Sequence, residues 1–171
     1  MPILPFKSHH PKLGEGTFLA PDAWVIGQVT IGKNVSIFFS SVLRGDVQKI
    51  SVGSGTNIQE HSLLHTSTGL GDCTVGENVT VGHRAILHGC TVHNNCIIGM
   101  GSTILDEAVV GENCIIGASS LVTMGTNIPA GHLALGSPAK VIRELSRAEI
   151  DQIRESALQY QELGKTYKLS L

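Results

Sequence analysis

Along most of this chain an aliphatic residue returns at every sixth position. The series runs through Leu19, Val25, Ile31, Ile37 and Leu43, then Val52, Ile58 and Leu64, then Val75, Val81 and Leu87. It resumes at Val92, Ile98, Ile104, Val110, Ile116, Val122 and Ile128. Four residues after the aliphatic stands a small or β-branched side chain, as at Ala23, Val35, Ser41, Thr56, Ala85, Cys96, Ser102 and Cys114. Glycine often follows the aliphatic directly, as at Gly32, Gly53, Gly76, Gly82, Gly99, Gly111 and Gly117. A helix repeats every 3.6 residues and a half-buried strand every two, so neither produces this pattern. A six-residue unit with one aliphatic and one small inward position predicts a short strand and a turn, wound as a parallel β-helix. Three hexads close one triangular coil, and successive coils stack at the inter-strand spacing of ~4.8 Å, burying continuous aliphatic ladders.

The phase slips three times. Three residues are added between Leu43 and Val52, five are added between Leu64 and Val75, and one is missing between Leu87 and Val92. Insertions into a repeat predict loops, often on the functional face. Beyond Ile128 the period decays, and Gly136, Ser137 and Pro138 predict a turn. Ser146 followed by Glu149 has the form of a capping box, Ile150, Ile153, Ala157 and Tyr160 recur at helical spacing, and Gly164 supplies a stop. The expectation is a helix of ~15–18 residues covering a flank of the β-helix. The chain thus divides into a β-helix with a short N-terminal segment over 1–140 and a C-terminal helical segment over 141–171. Over residues 15–135 this organisation resembles the left-handed hexapeptide-repeat proteins. The resemblance alone implies the left hand, since ordinary parallel crossovers are right-handed.

Composition narrows the partners. With 171 residues the chain makes one ordinary domain, and 42% hydrophobic against 15% charged residues rules out disorder. Aromatic residues are only 4%, so the core is aliphatic, and the 20 glycines are expected to serve turns. A net charge of -2 gives no electrostatic reason for nucleic acid or an anionic membrane as partner, and no run of ~18 apolar residues spans a bilayer. Small molecules or other subunits remain. Met1 to Lys12 lack the apolar stretch of a secretory signal, and Cys73, Cys90, Cys96 and Cys114 form no C-x-x-C pair, so a reducing cytoplasm is expected. Cys96 and Cys114 occupy inward positions three hexads apart and should stack as core thiols.

Hexad counting also places the histidines. Leu43, Leu64 and Leu87 begin equivalent hexads, so Arg44, His65 and His88, which follow them, should share one column. Glu60 and His83 should stack in the same way at the preceding corner. His65 and His88 could hold one metal ion across adjacent coils, because zinc takes imidazole nitrogens at ~2.0–2.1 Å and the coils are ~4.8 Å apart. His83 faces elsewhere, so a third ligand has to come from a neighbouring subunit, and a threefold trimer would make three such sites. His61, His93 and His132 lack partners at ligand spacing, and His9 with His10 belongs to a solvated terminus.

Leu43-Arg44-Gly45-Asp46, then Asn57-Ile58-Gln59-Glu60 leading to Leu64-His65, then Val81-Gly82-His83 and Leu87-His88-Gly89-Cys90 resemble the gamma-class carbonic anhydrases and their relatives, as does the ending Gly136-Ser137-Pro138-Ala139-Lys140. The resemblance implies a homotrimer binding Zn2+ (or Fe2+ or Co2+) through His65, His83 and His88, with His83 supplied across the interface. It implies an enzyme that hydrates carbon dioxide to bicarbonate. Gln59 matches the glutamine that orients water or substrate, Arg44 and Asp46 match an interfacial ion pair, and Glu60 falls on an acidic position. Tyr160 resembles a tyrosine near the active site of some relatives, although its spacing on the helix favours packing. Two departures weaken proton transfer out of such a site. Val47 stands where the best-studied members carry a second acid, and the short Thr66-Ser67-Thr68-Gly69 segment replaces a long acidic loop. Two other readings stay open. An acyltransferase of the same repeat class would use one histidine as a base and bind coenzyme A along the prism, and a non-catalytic trimer would bind metal or a small ligand.

Overall fold

The structure, a computed structural model, describes residues 3–171. The hexads form short strands, most of two residues, that pair in parallel with the strand one coil away, as Thr80–Val81 pairs with Asn57–Ile58 on one side and Ile97–Ile98 on the other. Three faces result. Phe18–Leu19, Ser36–Ile37, Asn57–Ile58, Thr80–Val81, Ile97–Ile98, Ile115–Ile116 and the start of His132–Gly136 stack as the seven parallel rungs of one face. The other two faces form one sheet, because the longer strands Trp24–Ile31 and Val42–Val52 run around the corner between them.

Inside the prism the predicted ladders are fully buried, with Ile37, Ile58, Val81, Ile98 and Ile116 on one face and Leu43, Leu64, Leu87, Ile104 and Val122 on the next. Each such side chain contributes ~1.5–3 kcal/mol relative to exposure. The small inward residues satisfy the polar backbone at the corners. Ser41 Oγ donates to Gln59 O at 2.7 Å, Ser62 Oγ to Gly82 O at 3.0 Å and Ser102 Oγ to Gly117 O at 2.9 Å. Cys96 and Cys114 sit at the same place in adjacent rungs, buried as thiols whose Sγ atoms lie 3.1 and 3.0 Å from Gly111 O and Pro129 O.

The turns explain the period. One residue in six takes a left-handed conformation, as at Asn95, Gly101, Glu107, Asn113, Ser119, Gly125 and Gly131. The glycines that follow the aliphatics serve a different purpose from the one composition suggests. At Gly99 an added Cβ would lie 2.4 Å from Ala118 N, so the requirement there is close approach of the next rung.

Several expectations from the sequence need correction. The three residues added after Leu43 make no loop. They are absorbed within Val42–Val52, an 11-residue strand whose pairing with Trp24–Ile31 shifts register between Gly27 and Val29. The insertion after Leu64 does leave the repeat, connecting strands Leu63–His65 and Cys73–Val75. Gly164 ends nothing. The helix α1 spans Arg147–Ser170, 24 residues, and Gly164 is buried where a Cβ would meet Ser36 Oγ at 2.0 Å. The glycine is a contact point between helix and rung. The strand Ala139–Glu144 returns antiparallel against His132–Gly136, so the division at 140/141 falls inside this strand. α1 begins with the expected capping box and lies over the lower rungs of the first face, where Phe18, Phe38, Tyr160 and Tyr167 pack ring against ring. Among the described residues no helix is long and apolar enough to cross a membrane.

Two predictions follow from how α1 is held. Gly164→Ala should lower the melting temperature by the equivalent of ~1–3 kcal/mol of overpacking, and adding Ser36→Ala should restore part of it. The second concerns acid. Arg143 first, then the Ser146 backbone and hydroxyl, hold the Glu149 carboxyl at about 2, down from its ordinary 4.5. A depressed folded-state value means the cap's contribution is present above 4.5 and is lost as pH falls towards 2. Helical circular dichroism should therefore decline over that window, and Glu149→Gln should flatten the decline.

Candidate functional site

The functional residues expected from the sequence gather into two clusters, on the two edges of one face. The face carries the strands Trp24–Ile31, Val42–Val52, Leu63–His65, Ile86–His88, Thr103–Ile104 and Leu121–Val122. Its outward positions are Trp24, Val42, Leu63, Ile86, Thr103 and Leu121, in register one above another. Five of the six are apolar, whereas the equivalent ladder on the next face is Thr30, Ser51, Thr74, Thr91, Val109 and Asn127.

At the far edge of the apolar face, His65 and His88 are paired residues of adjacent strands, and His65 Nδ1 lies 3.1 Å from His88 Nε2. The outer nitrogen of each ring meets a carboxylate. His65 Nε2–H donates to Asp46 Oδ1 at 3.1 Å, and Arg44 holds the other oxygen of Asp46 at 2.5 Å. His88 Nδ1 lies 2.9 Å from Asp106 Oδ2. Burial would raise the Asp46 carboxyl, but hydrogen bonds from Arg44 and His65 outweigh it and leave the group lowered. Burial also lowers His65, aided by the charges of Arg44 and His88 and opposed by Asp46, which keeps the ring neutral at neutral pH. A neutral His65 with its hydrogen on Nε2 turns the lone pair of Nδ1 towards His88.

At the near edge stand Gln59, Glu60 and His83. His83 Nδ1–H donates to Glu60 Oε2 at 2.6 Å, the stacking that hexad counting gives, and this leaves Nε2 free. Gln59 is buried, and its Nε2 donates to Asn57 Oδ1 at 3.3 Å. Asn57 Nδ2 donates in turn to Thr80 Oγ1 at 3.0 Å, and Thr80 Oγ1 lies 3.3 Å from Ser156 Oγ on α1. Tyr160 packs as its helical spacing predicts and also borders a cavity. Its ring packs against Phe38, and it lines a cavity of about 270 Å3 with Gln59, His83, Met100 and Ser156. Burial first, then the charge of Glu60, raises its hydroxyl pKa, with Gln59 opposing.

Asn57 and Asp106 are the site residues that sequence reasoning passes over. Asn57 stands two residues before Gln59, on the same side of the strand. Asp106 could have been found by counting one 18-residue coil on from His88.

The donor set fits a divalent metal. Two imidazole nitrogens bound to one tetrahedral zinc at ~2.0–2.1 Å lie ~3.3 Å apart. The His65 and His88 nitrogens stand 3.1 Å apart, each on a ring whose other nitrogen is held by a carboxylate, the usual support of a metal-binding histidine. Among the described residues of a single chain, no three of His, Cys, Asp and Glu converge as a metal-holding group, so His83 does not join the pair within one subunit.

Residues 89–123 match the family model for the bacterial transferase hexapeptide of six repeats. The chain is 44% identical to a carbonic anhydrase of Geobacillus kaustophilus over 97% of its own length and 91% of the relative's. It belongs to the gamma carbonic anhydrase family. A mitochondrial gamma carbonic anhydrase of Arabidopsis thaliana is 46% identical over 92% of the chain, which spans only 58% of that longer protein. A solved structure from Bacillus cereus carrying a provisional acetyltransferase name superposes with a TM-score of 0.96 at 42% identity, covering 99% of this chain and 98% of that one. Proteins similar to this chain over nearly its whole length therefore carry names from two chemistries, and the site residues have to separate them.

The hydrogen bonds at the His65 edge set a titration. In the metal-free protein, His65 should titrate below its ordinary 6.5, and Asp46→Asn should push it lower still, because Asp46 is what opposes the fall. Histidine proton shifts followed against pH measure both.

Proposed function

We propose that the protein is a metal-dependent hydratase converting carbon dioxide and water to bicarbonate, working as a homotrimer with one site at each interface. The observation that carries this reading is the His65–His88 pair, with facing nitrogens 3.1 Å apart and a carboxylate behind each ring. The apolar face supports the trimer. It is bounded by His83 on one edge and by His65 with His88 on the other, so a cyclic assembly that buries Trp24, Val42, Leu63, Ile86 and Leu121 brings the near edge of one chain against the far edge of the next.

In this reading His65 and His88 of one subunit and His83 of its neighbour hold the metal, with Zn2+ the first choice for three imidazoles and Fe2+ or Co2+ as alternatives. When bound, a divalent metal supplies the Lewis acidity that makes water nucleophilic near neutral pH. The protein's own groups do the rest. Asp46, fixed by Arg44, and Glu60 orient His65 and His83. Asn57 takes the amide hydrogen of Gln59, leaving the Gln59 carbonyl oxygen to accept a hydrogen bond from water or from the hydroxyl of bicarbonate. Tyr160 lines the cavity beside His83.

Proton release is the weak step. Val47 carries no acid, the connection from Thr66 has none before Asp72, and Glu60 is engaged by His83 at 2.6 Å. Turnover should therefore rise when an imidazole-type buffer is added at constant pH. Stopped-flow hydration on metal-loaded protein, with native mass spectrometry, tests the whole reading. The expected species is a trimer with three metal ions. His65→Ala and His88→Ala should lose the metal and keep their strand circular dichroism, while Ile86→Lys should yield monomers that lose metal although no ligand has changed. A monomer holding one metal per chain refutes the shared site, and full occupancy without hydration points to a binding protein.

A further inference from the structure

The far-edge histidines have a second way to satisfy each other. If His88 carried its hydrogen on Nε2, that N–H would donate to the bare Nδ1 of His65 across the same 3.1 Å, giving an ordinary hydrogen bond with no nitrogen left for a metal. Nothing about the stacked rungs prevents it. The group that decides between the two arrangements is Asp106, whose Oδ2 lies 2.9 Å from His88 Nδ1.

Three features make Asp106 unusual for an acid in a turn. It is buried, only 6% exposed, in a β-helix whose other acids are mostly at the surface. Among the described residues its side chain contacts one polar partner, His88, and its Oδ1 is buried without any. An aspartate that merely shaped the turn would accept from a nearby backbone N–H, and this one does not. Its seat is also reserved. Oδ1 occupies the space over Gly89, where a Cβ would lie 2.2 Å away, and Glu107 N–H donates to Gly89 O at 2.8 Å, fixing the two corners together. A buried acceptor left unpaired destabilises the fold, so its retention calls for another account.

We infer that Asp106 is a positioning residue. By accepting the Nδ1 hydrogen of His88, it forces the less common tautomer and leaves the Nε2 lone pair facing His65, so that the pair stays open to a metal ion instead of closing on itself. This deepens the metal-site reading and rests on it for its purpose, while the tautomer itself can be read in metal-free protein.

The test uses the full chain with 15N-labelled histidine. In metal-free wild type at about pH 8, where imidazoles are neutral, the His88 shifts should report Nδ1–H and bare Nε2. Asp106→Asn keeps the shape, but its amide can donate to the ring. As with a carboxylate-to-amide change behind other histidines, it should give the opposite tautomer. Zn2+ affinity by chelator competition should fall roughly 10- to 100-fold, as for other outer partners of metal ligands. Asp106→Ala should shift the tautomer the same way, and its melting curve separates that effect from unfolding. The inference is overturned if wild-type His88 carries its hydrogen on Nε2, or if Asp106→Asn leaves both tautomer and Zn2+ affinity within twofold of wild type. Wild type that binds none of Zn2+, Fe2+ and Co2+ while His88 shows the Asp106-dependent tautomer would sink the hydratase reading and leave the positioning role standing.

Discussion

Parallel stacking of one rung on the next is the constraint from which the rest of the molecule follows. The strand N–H groups find their carbonyls in a neighbouring coil, so the coils are held at one separation and equivalent positions must lie over one another. Inward, this creates the aliphatic ladders. Outward, it forces side chains that are distant in sequence into contact, among them His65 with His88, Glu60 with His83 and Asn57 with Thr80. Both clusters are thus by-products of the same register that builds the core.

The three faces divide the work. One is partly covered by α1, whose Gly164 lets the helix settle on Ser36, and one is lined by threonine and serine. The third is apolar, and the histidine clusters stand along its two edges. At each edge imidazole is matched with carboxylate, His65 with Asp46, His88 with Asp106 and His83 with Glu60. Burial lowers His65 while Asp46 supports it, so the ring is neutral yet directed. Such rings offer lone pairs to a cation, which is a more specific statement than the presence of histidines in a repeat protein.

The scaffold does not choose the chemistry. The Bacillus cereus structure with an acetyltransferase name and the Geobacillus carbonic anhydrase are both more than 40% identical to this chain over nearly its whole length. What bears on function is the pair of edges. An acyl-transfer reading would leave the 3.1 Å His65–His88 approach and the carboxylate behind each ring without a purpose.

The sequence by itself determined the period, and with it the β-helix, the buried ladders, the stacking of Glu60 on His83 and of His65 by His88, and the capped start of α1. These depend on local spacing, and spacing is written in the chain. Its motifs also carried the family. Only the tertiary structure decided the rest. The residues added after Leu43 extend a strand because a neighbouring strand shifts register to receive them, and Gly164 sits inside a helix because Ser36 lies beneath it. Asp106 acquired a partner only because Gly89 leaves room for its carboxylate in the next coil. Each of these outcomes depends on what occupies the adjacent rung or helix, and an intended stop, loop or turn acid has the same appearance in sequence as a contact residue until the neighbour is in place.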